Sequence, residues 1–277
     1  MRRIIVMAIA GVCLLIGVLA ASLKLDPIVT AQETRKGEWV GRVRERDGRS
    51  KLWVQIYENR ESKDGREHYS QMSFDLDVQE LSGFNSTSTS QFTLKREAGT
   101  IVFDGLFKDG KGIGDYTFTP NAGFVAAMNS LGYSDLKPEK LFSMTIFNVT
   151  TGFINEMKSI GYTNIPQDKL ISMRIFKVDK DFVRDVESWG FEKQSLDKLI
   201  SMRVHRLDGN FIKEVEAMGF SKLSLDKLMS MRIHRVDAKF VNEMKGLGFQ
   251  NLTVDELIRM RIHGVDSNFI RKMKGNQ

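Results

Sequence analysis

Six phenylalanines, Phe124, Phe153, Phe182, Phe211, Phe240 and Phe269, stand 29 residues apart with no gap or insertion between them. Gly132, Gly161, Gly190, Gly219 and Gly248 keep the step, as do Leu141, Leu170, Leu199, Leu228 and Leu257. Met144, Met173, Met202, Met231 and Met260 keep it too. A register of this kind belongs to stacked supersecondary units, and nothing in the composition constrains the fold as tightly. Each period resolves into two short helices. The first opens at Asn121, Thr150, Asp179, Asp208, Asp237 or Asp266, whose side chains accept from the first free N–H groups. Phe182, Val186 and Trp189 then fall on one apolar stripe at i, i+4 and i+7. Gly190 and its equivalents stop the helix in the left-handed conformation. The second helix starts near Ser195, Ser224 or Thr253, with Asp197, Asp226 or Asp255 near the positive end of its dipole. Leu199, Met202 and Val204 are expected to bury its face. Helices of about ten residues are marginal alone in water, so neighbouring units must cover one another. Residues 121–277 are therefore expected to form an α-solenoid of about five and a half two-helix units. Its last helix, ending Arg271-Lys272-Met273-Lys274, is expected to close the array with a charged face.

Upstream, over residues 32–120, the periodicity is two. Trp39–Val43, Leu52–Tyr57, Ser70–Leu76, Phe92–Leu94, Ile101–Phe107 and Tyr116–Phe118 alternate apolar and polar side chains, as half-buried strands do. Asp47-Gly48, Asp64-Gly65, Ala98-Gly99 and Asp109-Gly110 read as the turns between them. About six strands in this length make a small antiparallel sandwich or partly open barrel, so the fold class is α+β. Gly110-Lys111-Gly112-Ile113-Gly114 has the wrong spacing for a phosphate loop, and a strand follows it, so it reads as a hairpin turn. Asp75, Asp77 and Glu80 have no positioned histidine or second acid and read as a solvated edge.

The only cysteine is Cys13, which excludes disulfide staples, thiolate metal sites and a thiol nucleophile from residues 32–277. It lies in an apolar run, Ile4 to Ala21, that follows Arg2-Arg3. Residues 1–31 therefore read as a signal peptide or an uncleaved N-terminal membrane anchor, and either way the rest is expected outside the cytoplasm, periplasmic or secreted. The basic surplus belongs to the repeats: residues 150–277 carry 22 Lys and Arg against 17 Asp and Glu.

The stretch Phe92-Thr93-Leu94-Lys95-Arg96-Glu97-Ala98-Gly99-Thr100 runs on through Phe103-Asp104-Gly105 to Tyr116-Thr117-Phe118-Thr119-Pro120. Together with Leu257-Ile258-Arg259-Met260-Arg261-Ile262-His263-Gly264-Val265, it resembles little-characterised bacterial exported proteins with a small β domain and helical repeats. The same segments are similar to extracytoplasmic tails of some BlaR-type sensor metallopeptidases. The resemblance covers roughly residues 37–277 and implies location and architecture. These 277 residues contain no His-Glu-x-x-His and no multi-span membrane domain, so no peptidase activity and no catalytic residue carries over.

Candidate functional residues form a ladder at the ends of the second helices. Arg174, Arg203, Arg232 and Arg261 share one position, Phe176, His205, His234 and His263 another, and Lys177, Arg206 and Arg235 stand beside them. Cations there complement a helix C-terminus; in a row they also make a basic stripe for an anionic partner. Equivalent positions on stacked helices lie about 8–10 Å apart, too far for the three histidines to share one metal ion. No cofactor is implied, and no G-x-S-x-G, Walker loop or zinc helix is present. The sequence reads as a non-enzymatic, extracytoplasmic protein-interaction module. Its expected partner is a protein or an anionic envelope component such as the membrane surface; export removes it from nucleic acid. The alternative is a ligand-sensing or regulatory component of an envelope signalling system, with the β domain as ligand site. That alternative needs a hollow barrel, whereas an interaction module expects a filled one.

Overall fold

The computed structural model describes residues 34–61 and 67–275. The apolar leader and the Asp64-Gly65 turn lie outside them. The described residues belong to one compact unit. Its architecture is α+β, a seven-stranded antiparallel sheet curled into a half-barrel and followed, among the described residues, by eleven helices.

The strands are β1 (Arg35–Arg46), β2 (Arg49–Glu61), β3 (Glu67–Asp77), β4 (Leu81–Ser82), β5 (Thr89–Arg96), β6 (Gly99–Lys108) and β7 (Lys111–Pro120). Their order in the sheet is β3-β2-β1-β7-β6-β5-β4. The first and last strands thus pair in the middle, and the opening falls between β3 and β4. Of the two expected forms, the sandwich and the partly open barrel, the curled single sheet is the second: its curl closes one apolar face on itself, so no second sheet is needed to cover it. Asp47-Gly48 and Asp109-Gly110 turn with both residues at positive φ, 52° and 69° in one pair and 52° and 70° in the other. That is the type I′ geometry which matches strand twist. The third turn is displaced by one residue from expectation. Arg96 pairs with Gly99, so Glu97-Ala98 makes the turn and Gly99 opens β6.

Side chains alternate in and out along each strand, and the inner set is aromatic. The Trp39 ring lies 5.5, 5.9 and 5.4 Å from those of Phe92, Phe103 and Phe107. The indole fits because Gly105 and Gly112 lack a Cβ, which would sit only 2.6 and 2.7 Å from it. Asp115 O accepts from its Nε1–H at 3.1 Å, so the one polar atom of the ring is satisfied. The half-barrel is filled with side chains.

Two series of nine-residue helices follow. One comprises α1 (Ala122–Ser130), α3 (Thr151–Ser159), α5 (Lys180–Ser188), α7 (Gly209–Ala217), α9 (Ala238–Gly246) and α11 (Ser267–Gly275). The other comprises α2 (Pro138–Ile146), α4 (Gln167–Ile175), α6 (Leu196–Val204), α8 (Leu225–Ile233) and α10 (Val254–Ile262). Every first-series helix is capped by the residue expected from sequence, from Asn121 accepting Gly123 N–H to Asp266 accepting Phe269 N–H. Gly132, Gly161, Gly190, Gly219 and Gly248 follow these helices at φ of 94°, 83°, 87°, 97° and 99°. Ser195, Ser224 and Thr253 cap α6, α8 and α10. Without a hydroxyl at that place, α2 begins instead with Pro138 at its first turn.

Two expectations are corrected. Val204 does not bury the face of α6: it is 46% exposed. It stands five residues beyond Leu199, about 140° round the helix, and so leaves the Leu199–Met202 stripe. Nor is α11 simply charged, since Phe269 and Met273 are 48% and 59% exposed beside Arg271 and Lys272. The five earlier phenylalanines of that register are buried, each beneath neighbouring chain that α11 does not have among the described residues.

Candidate functional site

The expected ladder divides into two rows with different surroundings. In the first row each arginine is already engaged. Arg174 Nε donates to Phe147 O at 3.3 Å, Arg203 Nε to Lys177 O, Arg232 Nε to His205 O and Arg261 Nε to His234 O, each of the last three at 3.1 Å. Each thus satisfies a carbonyl at the end of the preceding second-series helix, where the dipole is negative. Each guanidinium also lies over a phenylalanine. The distances are 5.1 Å for Arg174–Phe153, 3.7 Å for Arg203–Phe182 and 4.7 Å for Arg232–Phe211 and for Arg261–Phe240. Burial holds Arg174 below the ordinary guanidinium value; Asp179 opposes that and Arg96 adds to it. An arginine stays charged through such a shift.

The second row is exposed. Lys177, Arg206 and Arg235 hold left-handed backbone at φ of 55°, 55° and 56°, in register with Asn148 at 53° and Gly264 at 68°. The second-series helices therefore end as the first-series ones do, but with non-glycine residues in all but the last. The Asn and Gly at the two ends of the series were the available signal. His205 and His234 are half-buried beside this row, and His263 is exposed. The three histidines are not brought together into one site, and no group of three or more potential metal ligands occurs among the described residues.

A third row was not anticipated. Ile175, Val204, Ile233 and Ile262, each the last residue of its helix, are 43%, 46%, 46% and 53% exposed. Their equivalent on α2, Ile146, is only 4% exposed. The reason is the sheet. Phe142, one turn before Ile146 on α2, stacks on Tyr116 at 5.4 Å and meets Phe118 edge-on at 5.1 Å.

The sheet is clasped to the helices by charges that sequence reasoning missed. Arg96, at the end of β5, donates to Thr145 O at 2.9 Å and to Ile146 O, and its other nitrogens reach Glu80 at 2.8 and 3.0 Å. Glu97 accepts from Thr151 N–H at 3.1 Å and from its hydroxyl at 2.5 Å, at the start of α3. Glu214 and Glu243 play the same part for α9 and α11 through Ala238 N–H and the Ser267 hydroxyl, each at 3.0 Å. The β5–β6 turn thus supplies α3 with the acid that a preceding helix supplies farther along.

At one end of the sheet, Glu58 is buried between the Arg35 guanidinium and the Tyr116 hydroxyl, and Arg35 also lies over the Phe142 ring at 4.8 Å. An open hollow of about 670 Å³ beside it is lined by Lys36, Glu38, Tyr57 and Asp115 among others. Of the three acids expected on a solvated edge Asp77 is instead buried, and all three are engaged as ion pairs: Asp75 with Arg44 and Arg46, Asp77 with Lys51, Glu80 with Arg96. No helix among the described residues is long and apolar enough to cross a membrane. No family model, no curated protein and no solved structure matches this chain.

Proposed function

We propose that the chain is a non-enzymatic extracytoplasmic interaction module, with its helices stacked as an α-solenoid behind a β cap. The observation that carries this reading is the exposed aliphatic row. One position is held as Ile or Val in five successive units, although in four of them it meets solvent. Packing inside the chain gives no reason for that choice. A partner lying along the row does.

The solenoid is supported by bonds that join adjacent units. Lys140, Lys169, Lys198 and Lys227 pair with Asp168, Asp197, Asp226 and Asp255, each 28 residues on, and the four arginine-to-carbonyl bonds repeat beside them. Contacts of this nearest-neighbour kind let a surface grow with copy number. The filled half-barrel favours the sheet as a cap over the sheet as a ligand container.

Deleting one unit, Asp179 to Leu207, tests scaffold and function together. The shortened protein is expected to fold cooperatively and to sediment with isolated envelopes more weakly than the full chain, without losing that retention. Removing half that length is expected to abolish cooperative unfolding of the helices. Unchanged retention after the whole-unit deletion, or equal damage from the two deletions, contradicts the reading.

A further inference from the structure

We infer that the row of Ile175, Val204, Ile233 and Ile262, with Lys177, Arg206 and Arg235 beside it, docks on an anionic lipid surface. This assignment rests on the interaction reading above and names its partner. Three features of the row favour lipid.

The first is charge. Each exposed aliphatic side chain of α4, α6 and α8 is followed two residues later by an exposed cation, and a left-handed turn carries that cation out of the helix end. The acids nearest in sequence, Asp179, Asp208 and Asp237, direct a carboxylate oxygen to the Phe182, Phe211 and Phe240 N–H groups, at 2.9 Å in each case. Their negative charge is turned toward helix ends, whereas the cations remain outward. Aliphatic side chains flanked by Lys and Arg suit a headgroup boundary, where the chain enters acyl surface and the cation stays with phosphate.

The second is shape. Protein hot spots are anchors that fill pockets, and none of the cavities described is lined by the row. The cavities between helices, of about 310 and 250 Å³, are lined from the other set of turns, by residues such as Phe220, Phe249 and Asn251 or Trp189, Phe191 and Lys222. No member of the row borders either. A file of single, evenly repeated aliphatic side chains offers nothing to shape-specific recognition, and a fluid surface needs no shape.

The third is where the row begins. Ile146 occupies the same position on α2 and is sheltered by the sheet, so the chain itself already covers this face with apolar surface at its first copy. The uncovered file starts at the next unit. The engaged arginines, Arg174, Arg203, Arg232 and Arg261, belong to the scaffold beneath it.

The test uses the full chain with Cys13→Ser and one new cysteine carrying an environment-sensitive fluorophore, at Ile233→Cys or, as control, at exposed Ser221→Cys in the opposite set of turns. An apolar leader that inserts by itself would move both probes alike, so the difference between positions is what counts. On vesicles of phosphatidylethanolamine and phosphatidylglycerol, the probe at 233 is expected to shift to the blue and to be quenched by nitroxide lipid, while the probe at 221 stays aqueous. Raised salt should reverse the shift. Combining Lys177→Gln, Arg206→Gln and Arg235→Gln should raise the lipid concentration needed by about a hundredfold, since one interfacial cation is worth roughly fivefold. These substitutions sit on the surface and leave the core intact, so failure to fold is not an escape. Equal behaviour of the two probes, or an equal shift on phosphatidylcholine alone, overturns the assignment. If lipid has no effect but a photo-crosslinker at 233 joins an envelope protein, the partner is a protein and the interaction reading survives. If neither occurs, the two fall together.

Discussion

The sheet and the helices bury the same kinds of side chain and hold them in opposite ways. In the sheet the contacts of the central indole are unique and distant in sequence: Trp39 on β1 meets Phe92 on β5 and Phe103 on β6, and donates to Asp115 on β7. In the helices one contact is used again and again, a guanidinium of one unit over the phenylalanine just before it and bonded to the previous helix end. A defect in the sheet is therefore expected to have no substitute, whereas in the proposed stack a defect in one unit should be confined by its neighbours. The two meet at Phe142, which belongs to a helix by register and to the sheet by its ring contacts.

The largest effect expected from this contrast is at Trp39. Trp39→Ala removes a fully buried indole with three ring partners and should cost about 3–5 kcal/mol. Phe211→Ala removes a buried ring of the helices at a comparable cost, also about 3–5 kcal/mol. The measurement that separates them is hydrogen exchange. Trp39→Ala should lower protection across all of β1, β2, β5, β6 and β7. Phe211→Ala should lower it in α7, α8 and their immediate neighbours. Uniform loss over the whole chain from Phe211→Ala would break the contrast.

Next comes Gly190→Val. The backbone at 190 sits at φ of 87°, and an added Cβ would meet nothing within 4 Å, so the cost is conformational rather than steric crowding. A β-branched residue there should lose about 1–3 kcal/mol, read as a lowered urea midpoint. An unchanged midpoint would mean that α5 does not need its left-handed stop.

These positions were legible in the sequence because the cause is local. A glycine every 29 residues announces a left-handed turn, an Asp or Thr before an apolar stripe announces a cap, and Asp-Gly announces a I′ hairpin. The exposed row was misread at Val204 because apolar identity was given more weight than helical angle. What the sequence hides is contact across long separations. Nothing local tells that Arg96 of β5 reaches the end of α2, that Glu58 of β2 lies between Arg35 and Tyr116, or that the curl leaves no need for a second sheet. The lysine-to-aspartate ladder lies between these cases: both residues keep the 29-residue register, but nothing local pairs one unit's lysine with the next unit's acid.

A smaller effect distinguishes two ladders within the helices. Arg203→Gln gives up a carbonyl bond at 3.1 Å and a guanidinium stacked 3.7 Å over Phe182, and should cost about 1–2 kcal/mol. Lys198→Gln gives up only the exposed pair with Asp226 and should cost about 0.5 kcal/mol or less. Added salt should erase the Lys198 effect and leave most of the Arg203 effect, because aromatic stacking and a carbonyl bond are screened less than a surface pair. Equal costs for the two substitutions would remove the distinction between engaged and merely adjacent charge.

The smallest effect is a dependence on acid, and it samples the two regions separately. In the sheet, a bond from the Lys51 ammonium and then one from Gln79 N–H hold Asp77 below its ordinary value of 3.8. In the helices, Thr253 N–H and then the Thr253 hydroxyl hold Glu256 below its ordinary value of 4.5, completing a capping box at the start of α10. A carboxylate whose folded value is depressed stabilises the fold above the unfolded value, and that stabilisation is lost as pH falls through the folded one. Both contributions are therefore intact at neutrality; that of Glu256 fades from about pH 4.5 downward and that of Asp77 from about pH 3.8. Asp77→Asn and Glu256→Gln should each make the urea midpoint fall less steeply with acid than it does in the parent protein, since the group that titrates is gone. The location of the loss should differ. Acid should weaken hydrogen-exchange protection around Asp77 together with β2 and β3, its partners in the ladder, whereas protonating Glu256 should fray the first turn of α10 and stop there. If acid frays α10 and the sheet in step in all three proteins, the charges are not separately coupled to their own regions. The helices would then unfold with the sheet rather than beside it.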